Sequence, residues 1–387
     1  MYPWENKEVS AVKESRIGAS GEEERKRIVM DDETRISLPQ QDMSRRTLLK
    51  AGSAGASILA LGGAIALEGA LSSVTTEAAS PFIKGADVSW LPQMEAHGYT
   101  FNNAQGVKQD LLTILKGYGI NAISLRTWVN PSSDPANGHC NQAETIAMAV
   151  RCKNAGLPVI IGFQLGDTWN SVGKQNPPAA WASMTYSQMR TALGNYVLGF
   201  MKAMKSSSVT PGWVAIGNEI NSGICTPTGS VVHHPDQMTG LLNAGYASVK
   251  QVFPSVPVMI HLGQPQKTTV VQTFFDSYKK YGGKWDITAF SSYGSGSNIP
   301  GIITDMANFQ TSYGKKVMQI EFGGPLGDPN GTRASLAAYI KGVKGFGGLG
   351  VFFWEPEGYA PFTDYTLTAW DPTTRRPTAA MNGFLDA

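Results

Sequence analysis

From Lys84 onward the chain alternates short apolar runs with longer stretches in which apolar residues recur every three or four positions. Runs at 84–89, 121–126, 158–164, 213–219, 257–262, 286–291, 316–321 and 349–354 are short and nearly continuous in apolar residues, so they predict eight strands buried on both faces. Between them the helical period predicts helices over 107–118, 142–155, 187–206, 235–253, 268–281, 301–313 and 333–345, with a short last one at 378–385. Glycines stand where several of these should stop, at Gly117, Gly156, Gly282 and Gly314. Eight alternations predict an α/β fold, a (β/α)8 barrel filling residues 80–387 as one domain. The competing architecture is an open doubly wound sheet. It is disfavoured because no glycine-rich phosphate loop follows the first strand.

A barrel places its chemistry where strands end, so the residues there form a test. The fourth run, WVAIGNEIN at 213–221, ends on Asn218 and Glu219, and the seventh, KVMQIEFG at 316–323, ends on Glu321. A carboxylate at the tip of a buried strand is costly unless something compensates it, either a structural ion pair or a functional site. The other strand ends deliver Asp87 and Trp90, Arg126 and Trp128, Gln164, Asp167 and Trp169, His261, Ser292 and Tyr293, and Trp354 and Glu355. Indole rings stack on the apolar faces of sugar rings, and Asn, Asp, His and Tyr hydrogen-bond the hydroxyls. The composition of this rim therefore predicts a carbohydrate site. Bland readings stand beside it: His261 as a satisfied core histidine, Asp87 as a loop former, Glu355 as structural.

Two carboxyl groups flanking a glycosidic bond are what glycoside hydrolysis requires, about 5 to 5.5 Å apart when configuration is retained. Glu219 is expected to be the acid/base, its pKa raised by burial and by the second carboxylate. Glu321 is expected to be the ionised nucleophile, its pKa lowered by Arg126 on the same rim. Asn218 is expected to bond the sugar 2-hydroxyl.

The stretches GADVSWLPQMEAHGYTF at 85–101, LRTWVNP at 125–131, DTWNSVGKQNPPAAW at 167–181, IGNEINSG at 216–223 and FFWEP at 352–356 resemble glycoside hydrolase family 53. The likeness spans essentially 82–387. It implies a (β/α)8 endo-β-1,4-galactanase with catalytic glutamates on strands four and seven, matching Glu219 as acid/base and Glu321 as nucleophile. The chain departs from the family's usual pattern in two loops. Gly162, Phe163 and Gln164 stand where an Asp-Phe-His run is usual, and Ser292, Tyr293, Gly294 and Ser295 where a Tyr-Pro-Trp platform is usual. Two alternatives follow: the same chemistry on another β-linked glycan, and a carbohydrate-binding barrel without catalysis.

Charge and cysteine narrow the picture further. Residues 1–79 carry 10 of the 32 basic and 12 of the 30 acidic side chains, leaving 22 against 18 and a net charge of about +4 on the barrel. No basic block stands out, so nucleic acid is not an expected partner; a polysaccharide such as plant cell-wall galactan is, bound by a monomer. Cys140, Cys152 and Cys225 lack metal spacing and allow one bridge at most, such as Cys140–Cys152. No metal or cofactor is expected. Ser44–Lys50, SRRTLLK, reads as a twin-arginine export signal, followed by a Gly/Ala-rich apolar run from Ala51 to Leu67. Export to the periplasm or the exterior is therefore expected, with 44–79 as the signal segment and 1–43 as a polar, disordered extension.

Overall fold

The structure, a computed structural model, describes residues 81–358 and 362–387. The expectations for 1–43 and 44–79 lie outside the described residues. Eight strands form a closed parallel barrel: β1 (Ile83–Asp87), β2 (Ala122–Thr127), β3 (Val159–Phe163), β4 (Trp213–Ile216), β5 (Val258–Gly263), β6 (Ile287–Ser291), β7 (Lys316–Glu321) and β8 (Gly350–Trp354). Each pairs with its neighbours in sequence, and β8 closes on β1 with Asp87 opposite Trp354.

Outside lie α1 (Leu91–Ala96), α2 (Leu111–Gly117), α3 (Gln142–Asn154), α4 (Tyr186–Ser206), α5 (Pro235–Val252), α6 (Thr268–Lys280), α7 (Ile299–Tyr313) and α8 (Pro329–Gly345). Their starts follow local capping chemistry. Asn141 with Glu144, and Thr185 with Gln188, form reciprocal capping boxes that satisfy the first free N–H groups of α3 and α4. The helix expected from 107 begins only at Leu111, because Asp110 caps it there by accepting from the Thr113 N–H. Gly117 stays within that helix, and Gly119 takes the left-handed conformation instead. The expected last helix is a 3-10 turn, Ala379–Phe384.

Two layers of apolar side chains hold the barrel. Inside it, Ala122, Ile160, Ala215, Met259, Met318 and Phe352 pack against one another; the larger core lies between strands and helices. The strand period of two continues each inward row upward, so Met259 is followed by His261, and Ala289 by Ser291.

Three departures from the expected pattern shape the mouth. β4 stops at Ile216 rather than 219, because Gly217 and Glu219 adopt φ of 87° and 48° and leave the extended region. A small antiparallel hairpin, Gly223–Ile224 with Gly229–Ser230, follows it. Between β6 and β7 the register slips: Phe290 pairs with Gln319, but Ser291 pairs with Glu321. This bulge places two residues of β7 against one of β6, and Ile320 and Glu321 both line the mouth.

Candidate active site

The mouth is lined by Gln164, Asn218, His261, Glu321 and Trp354 over a floor that includes Asp87 and Arg126. Glu219 stands beside it on the turn after β4. That turn is docked onto β5: Asn221 accepts from the Gly263 N–H at 2.7 Å and donates to its carbonyl at 2.8 Å, while the Ile220 N–H donates to the His261 carbonyl. Gln175 donates to the carbonyls of Asn218 and Glu219 from the other side. A Cβ on Gly263 would lie 2.7 Å from Glu219 Oε1, so the carboxylate occupies space that only glycine leaves open.

Glu321 faces this group. Its side chain is 15% exposed. Tyr293 donates to its Oε2 at 3.2 Å, and Ser291 also hydrogen-bonds it. Burial, then the charge of Glu219, push the Glu321 carboxyl well above the usual carboxylate range, and the two hydroxyl donors oppose that rise. This corrects the expectation that Arg126 lowers its pKa. Arg126 is engaged elsewhere: its Nη1 bonds Glu355 and lies 3.6 Å from Asp87 Oδ1.

That second cluster is sealed. The Arg126 guanidinium carbon lies 5.0, 5.3, 4.7 and 5.8 Å from the ring centroids of Trp90, Trp128, Trp169 and Trp354. Its Nε and Nη2 have no hydrogen-bond acceptor among the described residues, and the indole faces supply the attraction instead. Trp90 and Trp128 are 0% exposed, so the expectation that they stack on sugar is corrected: their rings are spent on Arg126 and on Trp169. Trp169 remains half-buried above the cage and Trp354 forms its wall towards the mouth.

Asp87 is also part of this floor, accepting from the Ser89 N–H and hydroxyl and from the Ser124 hydroxyl. Its expected contact with substrate gives way to that role, because both oxygens are already bonded and the residue is buried. Asp167 ties loops together: Oδ1 accepts from Asn130 N–H and Oδ2 from Ala179 N–H. Gln164 accepts from the Asn170 N–H at 3.4 Å, and Asn218 donates to the Asn170 carbonyl at 3.0 Å, which orients both amides at the mouth.

His261 is 1% exposed, and burial pushes its pKa down to about 3, leaving it neutral. Its Nε2 lies 2.6 Å from Ser291 Oγ and 4.0 Å from Glu321 Oε1. Ser291 and Glu357 were not singled out from the sequence. Ser291 has a legible signal, the inward row of β6; Glu357 has none. It is buried beside Glu355, and burial followed by that neighbour's charge holds its carboxyl well above the usual range. Among the described residues no group of three His, Cys, Asp or Glu side chains could hold a metal. All three cysteines are free and buried, so the Cys140–Cys152 bridge is not formed.

Residues 83–334 match the sequence profile of Glycosyl hydrolase family 53. The chain belongs to this family. It is a glycoside hydrolase with the family's barrel. A Niallia circulans protein described as an uncharacterized protein in the bgaB 5' region is 30% identical over 312 residues, covering 71% of this chain and 83% of that one. Arabinogalactan endo-beta-1,4-galactanase A of Emericella nidulans is 27% identical, covering 74% and 88%. Among solved structures, the Ignisphaera aggregans GH53 catalytic domain superposes with a TM-score of 0.73 at 26% identity, covering 80% of this chain and 97% of that one.

Proposed function

We propose that the protein is a retaining endo-β-1,4-galactanase acting on galactan chains of the arabinogalactan type, with Glu219 as acid/base and Glu321 as nucleophile. The observation that carries this reading is the facing pair itself: two carboxyl groups at one barrel mouth, close enough for the charge of Glu219 to raise Glu321, with two hydroxyl donors on Glu321. The family relative named for arabinogalactan supports the substrate.

In this mechanism Glu321 attacks the anomeric carbon while Glu219 gives its proton to the departing glycosidic oxygen. The bond to the leaving sugar breaks as the bond to Glu321 forms. Glu219, now ionised, takes a proton from water, and that water releases the sugar from Glu321 with net retention. Asn218 stands next to the acid, where the sugar 2-hydroxyl would be bonded. Trp354 and Trp169 present the remaining indole surface. We also propose that the protein acts outside the cytoplasm, exported on the twin-arginine segment at 44–50, and that it works as a monomer.

The test is release of reducing ends from linear β-1,4-galactan by residues 80–387, with cellulose, mannan and xylan alongside. Short galacto-oligosaccharides from galactan alone are the expected outcome. Activity confined to another of these polymers would move the substrate while keeping the pair, and inactivity on all four would return the binding-barrel alternative.

A further inference from the structure

The mouth contains two buried polar side chains that touch the nucleophile's surroundings. His261 follows Met259 and Ser291 follows Ala289 in the inward rows of β5 and β6, with His261 opposite Ala289 and Ser291 opposite Gly263. His261 is 1% exposed and Ser291 0%. Neither position needs a polar group for packing, because the layer beneath is apolar and an alanine or leucine would extend it.

Three features bring this pair to Glu321. The bulge between β6 and β7 sets Ser291 opposite Glu321 instead of Ile320. His261 Nε2 lies 2.6 Å from Ser291 Oγ. The same nitrogen approaches Glu321 Oε1 at 4.0 Å, while Tyr293 donates to the other oxygen, Oε2. Without the bulge the regular alternation of β7 would turn Glu321 away from the mouth once Met318 and Ile320 had turned inward.

Proton counting then fixes the direction of the bonds. Ser291 has one hydroxyl proton, and an ionised carboxylate can only accept. When Ser291 donates to Glu321, its oxygen must accept from His261, so the neutral ring carries its proton on Nε2. The other tautomer would leave the Ser291 lone pairs turned towards a carboxylate.

We propose that His261 and Ser291 form a neutral donor relay, Nε2–H to Oγ and O–H to carboxylate, that positions Glu321 and keeps it ionised beside Glu219. Both are positioning residues that act through Glu321, and the inference rests on the nucleophile assignment given above. The relay answers a specific need. From the turn after β4 and from β1 the charges of Glu219 and Asp87 both raise Glu321, Tyr365 faces it from the loop after β8, and Arg126 on β2 is held by Glu355. Opposing them are hydroxyls, Ser291 and Tyr293, which favour the charged form without adding a positive charge that would repel an oxocarbenium-like transition state.

The test is the pH dependence of covalent labelling by a 2-deoxy-2-fluoro-β-galactobiosyl fluoride, with the labelled peptide identified by mass spectrometry. In the parent protein the label is expected on Glu321, with a rate that falls as pH drops through the pKa of the nucleophile. Ser291→Ala is expected to move that acid limb upward by about one pH unit, and Ser291→Thr, which keeps the hydroxyl, to bring it back. His261→Leu should shift the limb in the same direction, and His261→Gln, which can still present an N–H near Nε2, less. The His261 pair gives the reading should Ser291→Ala fail to fold. Label on Glu321 with an unmoved acid limb in Ser291→Ala and His261→Leu overturns the relay and leaves the nucleophile standing. Label on another carboxylate overturns the nucleophile assignment and the relay with it.

Discussion

Two clusters of charge share the mouth of this barrel, and they are built on opposite principles. Around Arg126, opposite charges meet: Glu355 and Asp87 neutralise the guanidinium, four tryptophans wall it off, and buried backbone and serine donors use up the remaining oxygens. Around Glu321, like charges meet: burial and the facing charge of Glu219 both raise its carboxyl. The first arrangement is what a buried charge needs to be tolerated. The second would be eliminated if stability alone were at stake, because mutual repulsion in a partly buried site raises the cost of ionisation. Charges that pair build the platform, and charges that repel are kept for chemistry.

Substitutions should therefore separate the clusters, those around Arg126 acting on stability and those around Glu321 on activity. The largest expected effect is Glu219→Ala, which removes proton transfer and lowers the hydrolysis rate of galactan by roughly 10² to 10⁴, while its unfolding midpoint stays at or above that of the parent. Next comes Arg126→Ala. It leaves Glu355 and Asp87 buried without their cation and is expected to cost about 3–5 kcal/mol in urea unfolding; Arg126→Lys should recover only part of this, since an ammonium cannot lie flat among four indoles. An unchanged unfolding curve for Arg126→Ala would erase the distinction between the clusters.

Gly263→Ala tests how the active pair is seated. The new methyl would lie 2.7 Å from Glu219 Oε1 and 2.6 Å from Val172 Cγ2, displacing the acid while leaving the barrel intact. A fall in kcat of about 10²-fold, with little change in KM and in thermal midpoint, is expected from steady-state kinetics and calorimetry.

The smallest effect carries the sharpest sign. The folded pKa of Glu321 lies above its unfolded value, so the carboxyl adds nothing to or against folding in acid and destabilises increasingly as pH rises from the unfolded towards the folded pKa. Glu321→Gln should therefore raise stability by about 1 kcal/mol near pH 7, with the gain vanishing near pH 4. Catalysis and stability then move in opposite directions at this one residue. Thermal unfolding of both proteins across that range measures it.

Much of this was legible in the sequence. Eight apolar runs gave the barrel because a strand covered on both faces has little choice but to be apolar, and Glu219 and Glu321 stood out because they break that rule at its end. What the chain could not reveal was which partner each charge finds. Arg126 stands at the rim as its place at the end of β2 predicts, yet spacing along β2 carries no information that Glu355, 229 positions away, completes its ion pair. Trp90 and Trp128 were found at strand ends, but the direction in which an indole turns depends on the guanidinium beneath it. The bulge in β7 was equally invisible, since KVMQIEFG reads as a regular strand, and with it went the pairing that brings Ser291 to Glu321.

The central claim is the division of labour within the like-charged pair, and azide rescue reads it directly. Glu321→Ala and Glu219→Ala are each assayed on a 4-nitrophenyl β-galactotrioside with added azide, and the configuration of the glycosyl azide is read by NMR. Azide replacing a missing nucleophile attacks the substrate once and gives the α-azide; azide attacking an intact glycosyl-enzyme gives the β-azide. The account predicts α-azide from Glu321→Ala and β-azide from Glu219→Ala. The reverse pattern, or the same anomer from both, would contradict it.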